Sequence, residues 1–391
     1  MCFGDFMSNT IDNNRLADIH ARKYGYDEML EDLNNLPFNS LIPILVGVMQ
    51  GKVESIMPND IMKDMNEKME IYGPSNISQL ELTKFRTLFY KIMPSCFDTI
   101  QLPPVSPLGL CTSMTKLGQN ERLTTIRKSE VVSDSTLYLA LYAATLRKKQ
   151  CDKGDIYQEL NLSTFHRLLR LQKFEASRKW SQHFEILGTI STGRRKGKNS
   201  FKNEIIYMHI NMWISFLKVL NSNGYYYGDI EFLFSFIPLI EWIIDEYGIE
   251  RNEINRNSLN SNYDFFDSYN IDINKRIDSI NELSDVLNQN EEGCKILKLL
   301  RIFEREVLIP LKNENPNISF GYEVNRKLGL GYFNGICFHG YARNRNNQRF
   351  DLIDGGVSDW VGQMTNDNKE VTVTSSFGVE VGIMQFRDMR A

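Results

Sequence analysis

The sequence predicts an α+β protein, in which an antiparallel sheet flanked by helices is split by a helical insertion and preceded by an N-terminal helical extension. Three observations predict it. The segments FHRLLRLQKF (165–174) and QHFEILGTIS (182–191) alternate in the manner of two paired antiparallel strands. Four more β-type segments crowd the C-terminal part: SFGYEV, GYFNGICFHGYA, RFDLIDGG and KEVTVTSSFGVEVGIM. Segments with helical spacing lie before and between them.

Residues 1–78 read as acidic helices around the apolar run Leu41–Met49, punctuated by Pro58 and by Gly73-Pro74. They form the extension, with a possible face for a protein partner. The core runs over 79–391. Its first helix carries Leu82, Phe85, Leu88, Phe89 and Ile92 on one face and stops at Pro94. FDTIQL (97–102) and LTTIRKSEVV (123–132) read as strands. Ser133 or Asp134 caps the helix that follows, whose Leu137, Ala140, Leu141 and Ala144 share a face. After the hairpin, a basic loop (Gly193–Lys202) leads into the apolar helix IIYMHINMWISFLKVL. A largely helical insertion spans about 229–313, with FLFSFIPLIEWII (232–244) as a buried helix and the Asn/Ser-rich Arg251–Asn274 looping out.

Composition excludes more than it assigns. With 45 Lys plus Arg against 49 Asp plus Glu, the chain lacks the strong basic excess of a protein built to grip nucleic-acid backbones. The cysteines and histidines show neither C-x-x-C nor H-x-x-x-H spacing, so no zinc site is expected and the thiols read as reduced. No apolar run approaches the roughly 20 residues of a membrane span, and the N-terminus lacks a signal-peptide core. A soluble, cytoplasmic protein is expected. The loop Arg194, Arg195, Lys196, Lys198 does not have the phosphate-loop pattern and reads as a solvated loop. His183 and Cys337 read as a strand-face residue and a core residue.

Four segments, in order, resemble the core of a class II aminoacyl-tRNA synthetase of the histidyl type. FDTIQLPP (97–104) is similar to the helix–strand–proline motif that forms the dimer interface of the class. KFEASRKWSQHFEILG (173–188) is similar to its second motif, a hairpin holding ATP and amino acid. LGLGYFNGICF (328–338) resembles the histidyl signature strand. IDGGVSDWVGQM and SSFGVEVGI (353–364, 375–383) resemble the double-glycine strand and the final strand–helix. No anticodon-binding domain is expected after these motifs.

The resemblance implies a homodimer, and a site for an amino acid and for ATP with Mg²⁺. It implies that Glu185 and Asp134 read the substrate amine, that Thr136 and Gln182 line the same pocket, and that Tyr332 and Phe333 wall it. Asp134 serves equally well as a helix cap, and Glu185 as a water-facing strand residue. The family's phosphate-binding arginines are missing: Leu328, Val357 and Val381 stand in their places, and Gly331 stands where the family has Asp. Apolar groups cannot replace a guanidinium on phosphate, so tRNA charging is not expected. Arg127, Arg178 and Arg326 are the candidate replacements, with Lys327 beside the last. The function expected is an ATP-dependent ligase acting on an amino acid or related carboxylate; the alternative is a non-catalytic amino-acid sensor like the regulatory subunit of ATP phosphoribosyltransferase.

Overall fold

The computed structural model describes residues 13–115, 122–171, 181–194, 200–257, 260 and 262–388. The strands are β1 (Asp98–Thr99), β2 (Val105–Pro107), β3 (Thr124–Thr125), β4 (Ser129–Val131), β5 (Leu160–Leu169) and β6 (His183–Arg194). After them come β7 (Gly228–Phe236), β8 (Arg276–Ile277), β9 (Ser319–Glu323), β10 (Ile336–Arg343), β11 (Arg349–Ser358) and β12 (Glu370–Gly378). Nine of them form one sheet in the order β1-β5-β6-β12-β11-β10-β7-β9-β8, and β2, β4 and β3 form a small second one. From β5 to β7 every neighbouring pair is antiparallel, while β1 joins β5 and β9 joins β7 in parallel. The fold class is the expected one.

Side chains alternate between the two faces of each strand, so partners identify the faces. On one face, Thr189 and Ser375 hydrogen-bond each other at 2.8 Å, and Ser375 reaches His209 and Trp213 of the helix Ser200–Asn221. Packed against that helix is Gln79–Ile92, whose Ser78 cap accepts from Glu81 N. Phe85, Phe89, Phe216 and Phe377 meet here with ring centroids 5.2–5.8 Å apart, each contact adding about 0.5–1.5 kcal/mol beyond area burial. On the opposite face, a Cβ on Gly188 would lie 2.8 Å from Ser135 Oγ, so this face is covered by the helix Ser135–Asp152.

Three elements differ from expectation. FLFSF is not helical: it is β7, inside the sheet between β10 and β9, and the helix begins only at Ile237. A strand buried on both faces is apolar at successive positions and reads like a buried helix. Pro238 sits in the first turn of the helix, where its missing N–H costs nothing. The insertion proper therefore starts after β7. Its Asn/Ser-rich part holds the short helices Arg251–Asn257 and Phe265–Ser268 where a loop was expected. FDTIQL, in turn, is a strand only over Asp98 and Thr99.

The extension is helical, as expected, over Asn13–Tyr24, Asp27–Asn35, Phe38–Val53, Pro58–Glu67 and Met69–Tyr72. It joins the core at the hairpin base, where His183 Nε2 contacts Gly73 O at 2.6 Å and Gln182 N donates to Glu70 O at 2.7 Å. Among the described residues no single helix is long and apolar enough to cross a membrane. The bent pair Phe38–Val53 and Pro58–Glu67 has such a composition only when taken together.

Arg147 ties the covering helix to the sheet. Its side chain and that of Glu370 are 0% and 1% exposed, and it also donates to the Gln158 and Ile156 carbonyls. Removing one partner strands a buried charge, at about 3–5 kcal/mol. Glu370→Ala should therefore lower the unfolding free energy in urea by about that amount. A loss under about 1 kcal/mol would show that this pair does not anchor the helix.

Candidate functional site

The face under Ser135–Asp152 holds a row of directly paired residues: Thr164, Gly188, Ser376, Asp354 and His339. Above one end of the row, Asp134 caps the helix. Its Oδ1 accepts from Thr136 N at 2.9 Å and Leu137 N at 3.2 Å. The cap expectation holds, but the carboxylate does more than cap. Oδ1 lies 2.7 Å from Thr136 Oγ1, Oδ2 lies 3.0 Å from the Tyr332 hydroxyl, and the two hydroxyls lie 2.7 Å apart. Two hydroxyl protons thus serve three contacts, and the donor pattern can rearrange around a bound group. Burial, followed by the charge of Asp134, pushes the Tyr332 phenol well above its ordinary value, so it remains a donor.

The segment before β10 positions the aromatic pair. Gly329 and Gly331 have φ of 77° and 87°, which side chains resist, and Tyr332 N and Phe333 N both turn back onto Gly329 O. Gly331, where the resemblance implies Asp, is therefore a backbone requirement of this turn. Tyr332 packs edge-on against Phe333 and Trp360, at 4.8 and 4.5 Å between centroids. The aromatic pair is thus extended to a third ring, Trp360.

Glu185 is not brought to this group. It shares a face with Thr189, opposite Asp134, and takes a two-pronged ion pair from Arg86, with Nε at 2.9 Å. Arg167, its partner across β5 and β6, donates to Glu380 at 2.6 Å. Gln182 lies at the hairpin base, its Nε2 donating to Leu171 O at 3.0 Å. Arg127 stands exposed on the turn between β3 and β4, away from the row. Arg178 lies outside the described residues. Arg326 is on the row's face but is buried, with Nη2 donating to Asp354 Oδ1 at 3.0 Å and Nε to Leu328 O at 2.7 Å. Lys327 donates to Tyr263 O of the insertion at 2.7 Å. Val357 and Val381 are buried apolar residues.

Three groups were missed. Arg170 ends β5 beside Asp134, donating from Nε to Ser133 O at 2.8 Å. Burial pushes its guanidinium down to about 10, with Asp134 acting against the fall. Asp354 and His339 face each other across β11 and β10. Their signal was a charged or titratable residue in the apolar middle of each strand, at LID and CFH. Two buried thiols lie close by. Burial raises Cys111 to about 11 and Cys337 to about 12, so both stay protonated and neither acts as a nucleophile.

No family model matches this sequence, and none of the curated proteins does. Solved structures do. An ATP phosphoribosyltransferase regulatory subunit/histidyl-tRNA synthetase from Bacillus halodurans superposes with a TM-score of 0.55 at 15% identity, covering 79% of this chain and 80% of that one. A histidine–tRNA ligase subunit from Alicyclobacillus acidocaldarius gives 0.55 at 10%, covering 79% and 94%. The histidyl-tRNA synthetase of Nostoc gives 0.54 at 15%, covering 79% and 73%. At these identities the likeness speaks for the fold alone: the core of this protein has the fold of the class II aminoacyl-tRNA synthetase-like cores in these histidyl-type structures.

Proposed function

We propose that this protein is a non-catalytic member of that structural group, which binds an amino acid on the Asp134 face and acts as a regulatory subunit. One observation carries the choice over catalysis. Leu328, Val357 and Val381 stand where the resemblance calls for phosphate-binding arginines, and Arg326, the nearby substitute, is buried against Asp354. Each missing oxyanion donor costs on the order of 3 kcal/mol of transition-state stabilisation. The residues for ATP phosphates, and hence for their Mg²⁺, do not fit. Those for a zwitterion do: Asp134 and Tyr332 suit an ammonium against an aromatic wall, and Arg170 adds positive charge for a carboxylate.

A neighbouring structure named as a regulatory subunit supports the same reading. So do the exposed apolar side chains of the extension, among them Ile44, Val48, Met49, Ile61 and Met62, which offer a surface to a protein partner. Homodimerisation through 97–104 belongs to this proposal too. The ATP-dependent ligase is the second reading, and Arg170 with the buried Arg122 favours it, since together they concentrate positive charge near Asp134.

Calorimetry across the amino acids, with and without ATP–Mg²⁺, and amino-acid-dependent ATP–pyrophosphate exchange separate the two. The expected outcome is binding of an amino acid with an affinity that ATP–Mg²⁺ changes less than about twofold, and exchange at background. Exchange above background would establish the ligase instead. Asp134→Asn keeps the cap but removes the charge, so binding should weaken at least about tenfold, or about 1.4 kcal/mol. Glu185→Gln, on the other face, should leave it within about twofold, about 0.4 kcal/mol. The reverse pattern would move the site to Glu185.

A further inference from the structure

Exposed apolar surface is concentrated in the extension. Among the described residues, 16 of the 26 exposed large apolar side chains lie between Ile19 and Tyr72. In the helix Phe38–Val53 the run Leu41–Met49 has no polar side chain, yet no residue of that helix is buried. A helix that is apolar all round is ordinarily covered on every side. In the helix Pro58–Glu67, Ile61, Met62 and Met65 fall on one exposed stripe, with Asp60 and Asp64 along its margin. Methionine side chains adapt to the shape of what packs on them. The surface is held on the core at both ends. Lys128 Nζ, in the turn between β3 and β4, lies 5.0 Å from the Phe38 ring centroid, and Gln182 N donates to Glu70 O. Arg170 N donates to Gln182 O in turn, and its Nε reaches Ser133 O, so the second anchor adjoins Asp134.

Charge narrows what covers this surface. From Asp27 to Glu67 the chain carries eight carboxylates and two lysines. Among the described residues only Asp27 and Glu67 of these carboxylates are in ion pairs, with Arg22 and Lys63. A second copy of the same surface would set the carboxylates against one another, and an anionic bilayer would repel them. We propose that the helices Phe38–Val53 and Pro58–Glu67 receive a basic amphipathic helix of a partner protein. Its apolar face covers Ile44, Val48 and the Ile61 stripe, and its Lys or Arg side chains meet Asp64 and the field of Glu28, Glu31 and Asp32. In this mode the apolar face supplies affinity, while complementary charge sets orientation and speeds encounter. The inference deepens the regulatory reading, which calls for a protein partner, and rests on it.

The test is fluorescence anisotropy of the full chain with a labelled peptide of about eighteen residues, five helical turns, with leucine on one face and lysine on the other. One control peptide has glutamate for lysine, and a second has the same residues shuffled so that no apolar face forms. The lysine peptide should bind at least about tenfold more tightly than either control. Raising NaCl from about 0.05 to about 0.5 M should weaken it. Two variants at exposed positions, Ile44→Gln/Val48→Gln and Glu28→Gln/Glu31→Gln/Asp32→Asn/Asp64→Asn, should each lose at least about tenfold while the thermal midpoint stays unchanged. A control peptide that binds as tightly, or full binding retained by either variant, would overturn the inference. So would self-association abolished by Ile44→Gln/Val48→Gln, which would make a second copy the occupant. Co-sedimentation with phosphatidylcholine vesicles, abolished by the same variant, would make it a bilayer and overturn the inference as well. The regulatory reading fails by a different result, amino-acid-dependent ATP–pyrophosphate exchange above background. Absence of peptide binding beside intact amino-acid binding overturns this inference alone.

Discussion

The antiparallel register of β5, β6, β12, β11 and β10 is the constraint on which the rest of the molecule depends. A strand that slips by one residue turns every side chain to the other face. In the observed register, Thr164, Gly188, Ser376, Asp354 and His339 fall into one row under the helix Ser135–Asp152. Gly188 lets that helix approach, because a side chain there would collide with Ser135. The close approach sets Asp134, at the head of the helix, within hydrogen-bond distance of Tyr332. The double glycine works in the same way, since Cβ atoms on Gly355 and Gly356 would strike Phe338 and Cys337.

Charge is distributed unequally between the two faces. On the far face the pairs are closed: Arg86 grips Glu185 with two bonds, and Arg167 holds Glu380. Such pairs fasten helices to the sheet. Arg147 and Glu370 do the same for the covering helix, and the Gln150 side chain with two backbone carbonyls takes up the remaining guanidinium protons. Around Asp134 and Asp354 the pairing is open. Hydroxyls share protons, and the Arg326–Asp354 pair leaves a donor and an acceptor unpaired. Closed pairs are structural elements, whereas open ones cost stability unless a ligand completes them.

Much of this was legible in the sequence and some was not, for identifiable reasons. The hairpin, the C-terminal strands, the cap at Asp134 and the aromatic pair follow from alternation, capping chemistry and motif order. Strand β7 did not, because burial on both faces removes the alternation that marks a strand. Glu185 shows a different limit. Alternation places it correctly on a strand, but which face it occupies depends on the pairing of β6 with β12 and on the helix beneath Gly188. Asp354 and His339 lie in the apolar middles of their strands, and their meeting becomes visible only once β10 and β11 are paired.

The central claim is that ligand binding belongs to the face under Ser135–Asp152. Amide hydrogen exchange read by mass spectrometry, with and without a saturating amino acid that binds, tests it directly. The account predicts slowed exchange around Thr136 and Leu137, in 328–339 and around Asp354, with 79–92 and the far-face helix Ser200–Asn221 unchanged. Protection centred on 79–92, with none at 134–137 or 328–339, would place the ligand on the Arg86–Glu185 side and contradict it.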